Sequence, residues 1–238
     1  MIQKRLLVLA NSYKGNGRCI AGREIVAVGR DGYRLGSWIR PVGTDHQGEL
    51  HEPQRRYHNG AFVEVLDIAE FPLIGTANER CQPENYKIPN SFFWRNVTSG
   101  YERYDLSYLE EGPIDLWLQA HEPSDRVSHS FAIQTPPEHS LHIIRPKHFR
   151  LCLESKMRDG KSKTCWRAVF EYRGTEYDLS FTDPKIRARF EPQVPKSYHE
   201  PSEIRLPCGD HLLICVSLAR PWQGYHYKVV ATIFEGIV

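Results

Sequence analysis

Residues 164–184 read TCWRAVFEYRGTEYDLSFTDP, and this stretch decides the fold. Trp166, Phe170, Tyr177, Leu179 and Phe181 alternate along two runs, the period of strands with one buried face, while Arg167 points the other way. Arg173-Gly174 between the runs marks the turn of a hairpin formed by 164–172 and 176–181. Asp183 is a good N-cap and Pro184 suits the first helical position, so a short helix is expected as far as Phe190.

Working outward, residues 140–156 read as a long strand interrupted at Pro146, joined to the hairpin by a basic turn at 157–163. A Pro-rich loop at 191–209 leads to two final strands, 211–219 and 225–234. The order strand, strand, strand, short helix, strand, strand is that of an OB-fold. The first half follows the same plan less closely. Strands are expected at 4–11, 18–28, 33–42 and 61–73, with a polar loop at 43–60 in place of the helix. Residues 76–104 read as irregular, and 105–119 as short helices broken at Gly112-Pro113. The expectation is a mainly β chain of two OB-like five-stranded barrels with short helices and long loops. A first domain would span 1–125, a linker 126–139 and a second domain 140–238.

With 40% hydrophobic and 25% charged residues, the chain has the means to build a core. The net charge of +2 excludes an overall polycation but hides an uneven spread. Residues 1–40 hold eight Lys/Arg against two acids, and residues 145–173 hold nine against three. Residues 101–125 hold seven acids against Arg103. Basic surfaces attract polyanions, and the acidic segment 101–125 is a candidate contact for a protein partner. The six cysteines form no CxxC pair and lie mostly in apolar segments, such as Cys152 between Leu151 and Leu153. They read as reduced and buried, and no apolar run approaches the length of a membrane span. The expectation is a soluble cytoplasmic protein with no membrane contact.

OB-folds bind ligand across strands 2 and 3, between the 1–2 and 4–5 loops. In the first half these positions offer Tyr13, Lys14 and Arg18 at the 1–2 loop, Arg23 on strand 2, and Trp38 with Arg40 on one face of strand 3. Cations neutralise phosphate and aromatic rings stack bases. In the second half the 4–5 loop runs Arg220-Pro221-Trp222-Gln223-Gly224-Tyr225, followed by His226, Tyr227 and Lys228. Tyr227, Val229, Ala231 and Ile233 share a parity that reads as inward, which would leave Lys228 outward beside Trp222 and Tyr225. Arg167 is a further outward cation. The partner these residues point to is single-stranded or distorted nucleic acid. No metal site or cofactor is expected: Cys208, His211 and Cys215, or His139 and His142, fall three or four apart on strands and converge poorly.

Six segments carry a resemblance: 4–12, 17–24, 38–42, 82–86, 181–184 and 227–231. They resemble a prokaryotic family of dual-OB-containing domain proteins over nearly the full chain. The resemblance implies two OB units and a nucleic-acid role, in nucleic-acid modification or mobile-element defence, with no catalytic residue to carry over. A competing reading is an enzyme that processes nucleotides or nucleic acid, with Arg18, Arg23 and Arg40 on phosphate and Glu84 as acid–base or metal group. Cys19 beside arginines would then be a candidate nucleophile. A third is a protein-interaction adaptor using 101–125.

Overall fold

Leu6, Leu7, Val8, Leu9 and Ala10 are consecutive and all fully buried, which a one-faced strand would not allow. The computed structural model places their strand between two neighbours in its sheet. It describes residues 2–28, 32–44, 48–97, 106–158, 160–190, 206 and 212–234. The chain divides into two compact units, Met1–Glu102 and Arg103–Val238.

In the first unit, β1 (Ile2–Lys14), β2 (Gly17–Val28) and β3 (Gly32–Val42) form an antiparallel meander. β4 (Ile68–Leu73) pairs with the other edge of β1. β5 (Gly75–Thr76) pairs with β6 (Asn85–Lys87), and β6 lies parallel to β3. β7 (Arg95–Asn96) adds to β4. Leu6 and Val8 pack with Ile20, Ile39, Phe71 and Trp94 in the core. Gly22 is obligatory at its crossing of β1: a Cβ there would lie 1.9 Å from the Leu7 carbonyl oxygen.

The second unit opens with β8 (Arg126–Ser128) and α1 (His129–Gln134), the stretch expected to begin the linker. β9 (Leu141–Ile144), β10 (Lys147–Arg158), β11 (Lys161–Tyr172) and β12 (Thr175–Phe181) follow. Next come α2 (Pro184–Phe190), β13 (Leu213–Trp222) and β14 (Tyr225–Phe234). β10, β11 and β12 form a meander, and β14 lies parallel to β12 and antiparallel to β13. β9 pairs with β13, and β8 with the start of β14. Trp166, Phe170, Tyr177, Leu179 and Phe181 are all in the core, as their alternation required.

The chain is therefore mainly β, with the strand connections of two OB-like units. The expected five-stranded barrels need correction: each sheet has seven strands and neither closes. The reason is the same in both. One OB strand is broken in two, and one short edge strand is added. In the first unit the fourth strand breaks at Ile74, so that β4 serves β1 and β5 serves β6, with the Ile74 N–H already on the Lys87 carbonyl at 2.8 Å. In the second unit the first strand breaks at Arg145-Pro146, where proline has no N–H to continue a ladder. There β9 serves β13 and β10 serves β11.

The expected strand 61–73 is shorter than its sequence implied. Leu66 has φ of 73°, and the Asp67 carboxylate accepts from the Glu64 N–H and the Tyr57 hydroxyl, which makes a turn before β4. The acidic segment is used internally where it is described. Glu110 pairs with Arg145 at 2.9 Å and Glu111 with His142 at 3.1 Å; residues 101–105 lie outside the described residues. No helix among the described residues is long and apolar enough to cross a membrane.

Asp183 ties α2 to the sheet. One carboxylate oxygen accepts from the N–H groups of Lys185 and Ile186, and the other from Ile233 on β14 at 3.0 Å. Asp183→Ala removes a cap and strands a buried N–H, so it should cost about 2–4 kcal/mol. Urea denaturation measures the loss, and Ser180→Ala on the neighbouring strand provides the comparison.

Candidate nucleic-acid interface

The tip of the β13–β14 hairpin is built by two residues with positive φ, Gln223 at 50° and Gly224 at 82°. That geometry belongs to tight hairpins whose twist matches the flanking strands, and Gly224 meets it without strain. The turn sets Trp222 opposite Tyr225. Trp222 is 61% exposed, a large apolar surface left in water. Its ring lies 5.9 Å from that of Tyr227, and Tyr227 lies 6.4 Å from Tyr225. Arg126 of β8 stands over the Tyr225 ring at 5.1 Å and near Tyr227 at 6.0 Å. One exposed indole, two half-buried phenols and a guanidinium thus share one face of the sheet, at the 4–5 loop of an OB arrangement.

The opposite face holds the tip in place. The His226 Nδ1 lies 2.8 Å from the Ala219 carbonyl, which can only accept, so Nδ1 carries the proton. His226 Nε2 then accepts from His129 Nδ1 at 2.9 Å. The His129 N–H donates to the Gly224 carbonyl at 2.8 Å. Burial pushes the His226 pKa below its ordinary value, against the Ala219 bond and reinforced by His129.

Lys228 corrects the expected orientation of β14. His226, Lys228 and Val230 point inward, and Tyr225 and Tyr227 point out. Hydropathy assigns the aromatics to the core, but Lys228 has a reason to be there. Its Nζ donates to the Ser124 carbonyl at 2.7 Å and sits 5.5 Å from the Tyr177 ring. Being 1% exposed, it is withdrawn from any surface contact and instead anchors the segment before β8. Burial lowers its pKa to about 8, opposed by Asp115 and Asp125.

On strand 3 of the first unit, Trp38 and Arg40 are both buried, which corrects the expected stacking platform. Arg40 Nη1 lies 2.9 Å from a Glu84 carboxylate oxygen and 3.2 Å from Asn85 Oδ1, with both charges out of water. The Arg/Glu site of the enzyme reading is therefore an ion pair inside the core. Arg23 donates to the Gly36 carbonyl and lies 5.8 Å from the Trp38 ring. Arg167 is occupied by Asp178 at 2.8 Å and Ser180 at 3.1 Å. At the β1–β2 turn, Tyr13 is 37% exposed with the Arg18 guanidinium 4.0 Å above its ring, and Lys14 is half-buried beside them. Arg220 is half-buried beside Trp222, and Cys19 is half-buried. Cys208 and His211 lie outside the described residues, as do Asp159 and the side chains of Lys161 and Lys163 in the basic turn.

Arg126 escaped the sequence reading because it falls in the stretch taken as a linker. The available signal was Ser128, which caps α1 by accepting from the Phe131 N–H and fixes where β8 must end.

The family model for the dual OB-containing domain matches residues 4–233. The chain belongs to this family. No curated protein matches it at a significant level. The dual OB assignment agrees with the two parallel strand pairs, β3 with β6 and β12 with β14. Four of the recognisable segments meet there: 38–42 beside 82–86, and 181–184 beside 227–231. Those four segments therefore serve sheet construction.

Two outcomes follow from the buried charges. Glu84→Ala leaves Arg40 buried without its carboxylate and should cost about 3–5 kcal/mol in urea denaturation. Lys228 has a folded pKa below its ordinary 10.5, so the unfolded chain holds more protons between about pH 8 and 10.5. Stability should therefore rise with pH across that window, by about 3 kcal/mol in all. Lys228→Met should remove that increment from the denaturation midpoints measured between pH 7.5 and 11.

Proposed function

We propose that this dual OB-containing domain protein binds single-stranded or distorted nucleic acid, with the β13–β14 hairpin tip as a base-stacking platform. The observation that carries the reading is Trp222, exposed at the 4–5 loop with Tyr225, Tyr227 and Arg126 around it. Every base has a π face, so rings at a loop tip accept a strand without reading its sequence. Arg126 and Arg220 supply charge for the backbone, and Tyr13 with Arg18 offer a second stacking pair at the 1–2 loop of the other unit. The family resemblance adds the biological part of the reading, a prokaryotic protein of nucleic-acid modification or mobile-element defence, and cysteines set in apolar segments support a cytoplasmic one.

Titration of a fluorescent oligothymidylate at several salt concentrations is the test. Affinity should fall as salt rises, as it does where phosphate contacts release counterions. Trp222→Ala should weaken binding by about 1–3 kcal/mol, the value of one base–aromatic stack, with the melting temperature nearly unchanged. Arg126→Met should reduce the salt slope by about one unit. Salt-independent binding, or a Trp222→Ala variant of full affinity, would end this reading.

A further inference from the structure

A second basic cluster lies in the first unit, where the 43–60 insertion meets the β1–β2 turn. Arg18 and Leu50 exchange both backbone hydrogen bonds, at 3.0 and 2.8 Å. This bridge draws the insertion between β3 and β4 against the β1–β2 hairpin. The insertion then makes one tight turn, Glu52–Arg55, and returns so that Arg56 pairs with Phe62. Both guanidiniums stack on the Phe62 ring, Arg55 at 4.8 Å and Arg56 at 4.5 Å. Arg18 does the same on Tyr13 at 4.0 Å.

The three cations differ in what balances them. Arg56 pairs with Glu52 and donates to the Gly60 carbonyl at 2.8 Å. Arg55 is half-buried, its Nε is fully enclosed with no hydrogen-bond partner, and no carboxylate among the described residues pairs with it. Arg18 has its Tyr13 ring and a long 3.4 Å contact to the Gly17 carbonyl, and no acidic partner among the described residues. Burial and the neighbouring charge of Arg18 lower the Arg55 pKa, although Glu52 and Glu64 pull the other way. Desolvating a guanidinium beside two others is unfavourable unless an anion completes the group. Arginine forks match the oxygens of phosphate, and aromatic rings behind them fix their planes.

We propose that Arg18, Arg55 and Arg56, backed by Tyr13 and Phe62, form a phosphate-binding site in the first unit. The ligand is a phosphate group carried by a nucleotide or a nucleic acid strand. This inference deepens the nucleic-acid reading, which already draws on Tyr13 and Arg18, and needs no contribution from the hairpin tip.

Isothermal titration of the full chain uses two probes: a nucleoside 5′-monophosphate, and an oligothymidylate without terminal phosphates. Arg55→Met and Arg18→Met should each weaken binding of at least one probe tenfold or more. Arg95→Met, which removes an exposed cation paired with Glu70, should not. A loss on the monophosphate identifies a terminal phosphate as ligand, and a loss on the oligonucleotide alone identifies the phosphodiester backbone. Arg55→Met should melt at the same temperature as the parent or higher, because it removes a half-buried charge that no carboxylate among the described residues contacts directly while keeping an apolar stem on Phe62. Should that variant fail to fold, Arg18→Met carries the test. The site is overturned if neither probe binds, or if neither variant weakens binding. Loss of oligonucleotide affinity at Trp222→Ala but at neither arginine would keep the hairpin reading alone; the converse would keep only this site.

Discussion

Each unit depends on one strand that serves two neighbours. A strand that pairs with one neighbour along its first part and another along its second must bend between the two ladders, and here it does so by breaking. Unit one breaks its fourth strand at Ile74, and unit two breaks its first at Pro146. The positions differ because any strand at the seam can take the break; the parallel pairing of the third and fifth strands is the same in both. Buried polar chemistry gathers at that pairing. In unit one it holds Arg40 against Glu84 and Asn85, and in unit two Asp183 sits just beyond it.

The seam also explains how residues with functional chemistry came to lie inside. An arginine, a glutamate and a tryptophan clustered in short segments read as a site. Here the arginine and the glutamate pair with each other where two strands meet without a hairpin to join them, and the tryptophan is buried beside them in sequence. Removing a charge from such a pair is costly because its partner stays buried. A motif of this type marks where a sheet is assembled, and ligand surfaces must be sought at the loops that the assembly leaves free.

How much the sequence disclosed depends on whether burial or partnership ruled each element. The 164–181 hairpin, the Asp183 cap and the interruption at Pro146 were legible, because alternation, capping and a missing N–H act locally. β6 was not, because three residues owe their strand to β3 and not to any pattern of their own. The side chains of β14 take the parity opposite to the one hydropathy implies, because Lys228 is held inside by the Ser124 carbonyl, which no local signal announces. Trp222 was legible as a candidate from its turn and its charged neighbours. Its companion Arg126 was hidden, being placed by a ladder to Tyr227 a hundred residues away in outline but adjacent in space.

The parallel seam has a kinetic consequence as well. Arg40 and Asn85 are separated by 45 residues, and Thr182 and Val230 by 48. Loop-closure entropy grows only with the logarithm of length, so the two units face nearly the same entropic barrier to shutting their sheets. In both, the strand that completes the parallel pair is the last of its five to be made. During synthesis each meander must wait with β3 or β12 as an open edge, and such edges are where unfinished chains pair with the wrong neighbour. The short helix α2, capped by Asp183 before β13 and β14 arrive, gives the second unit a local element beside that edge while it waits.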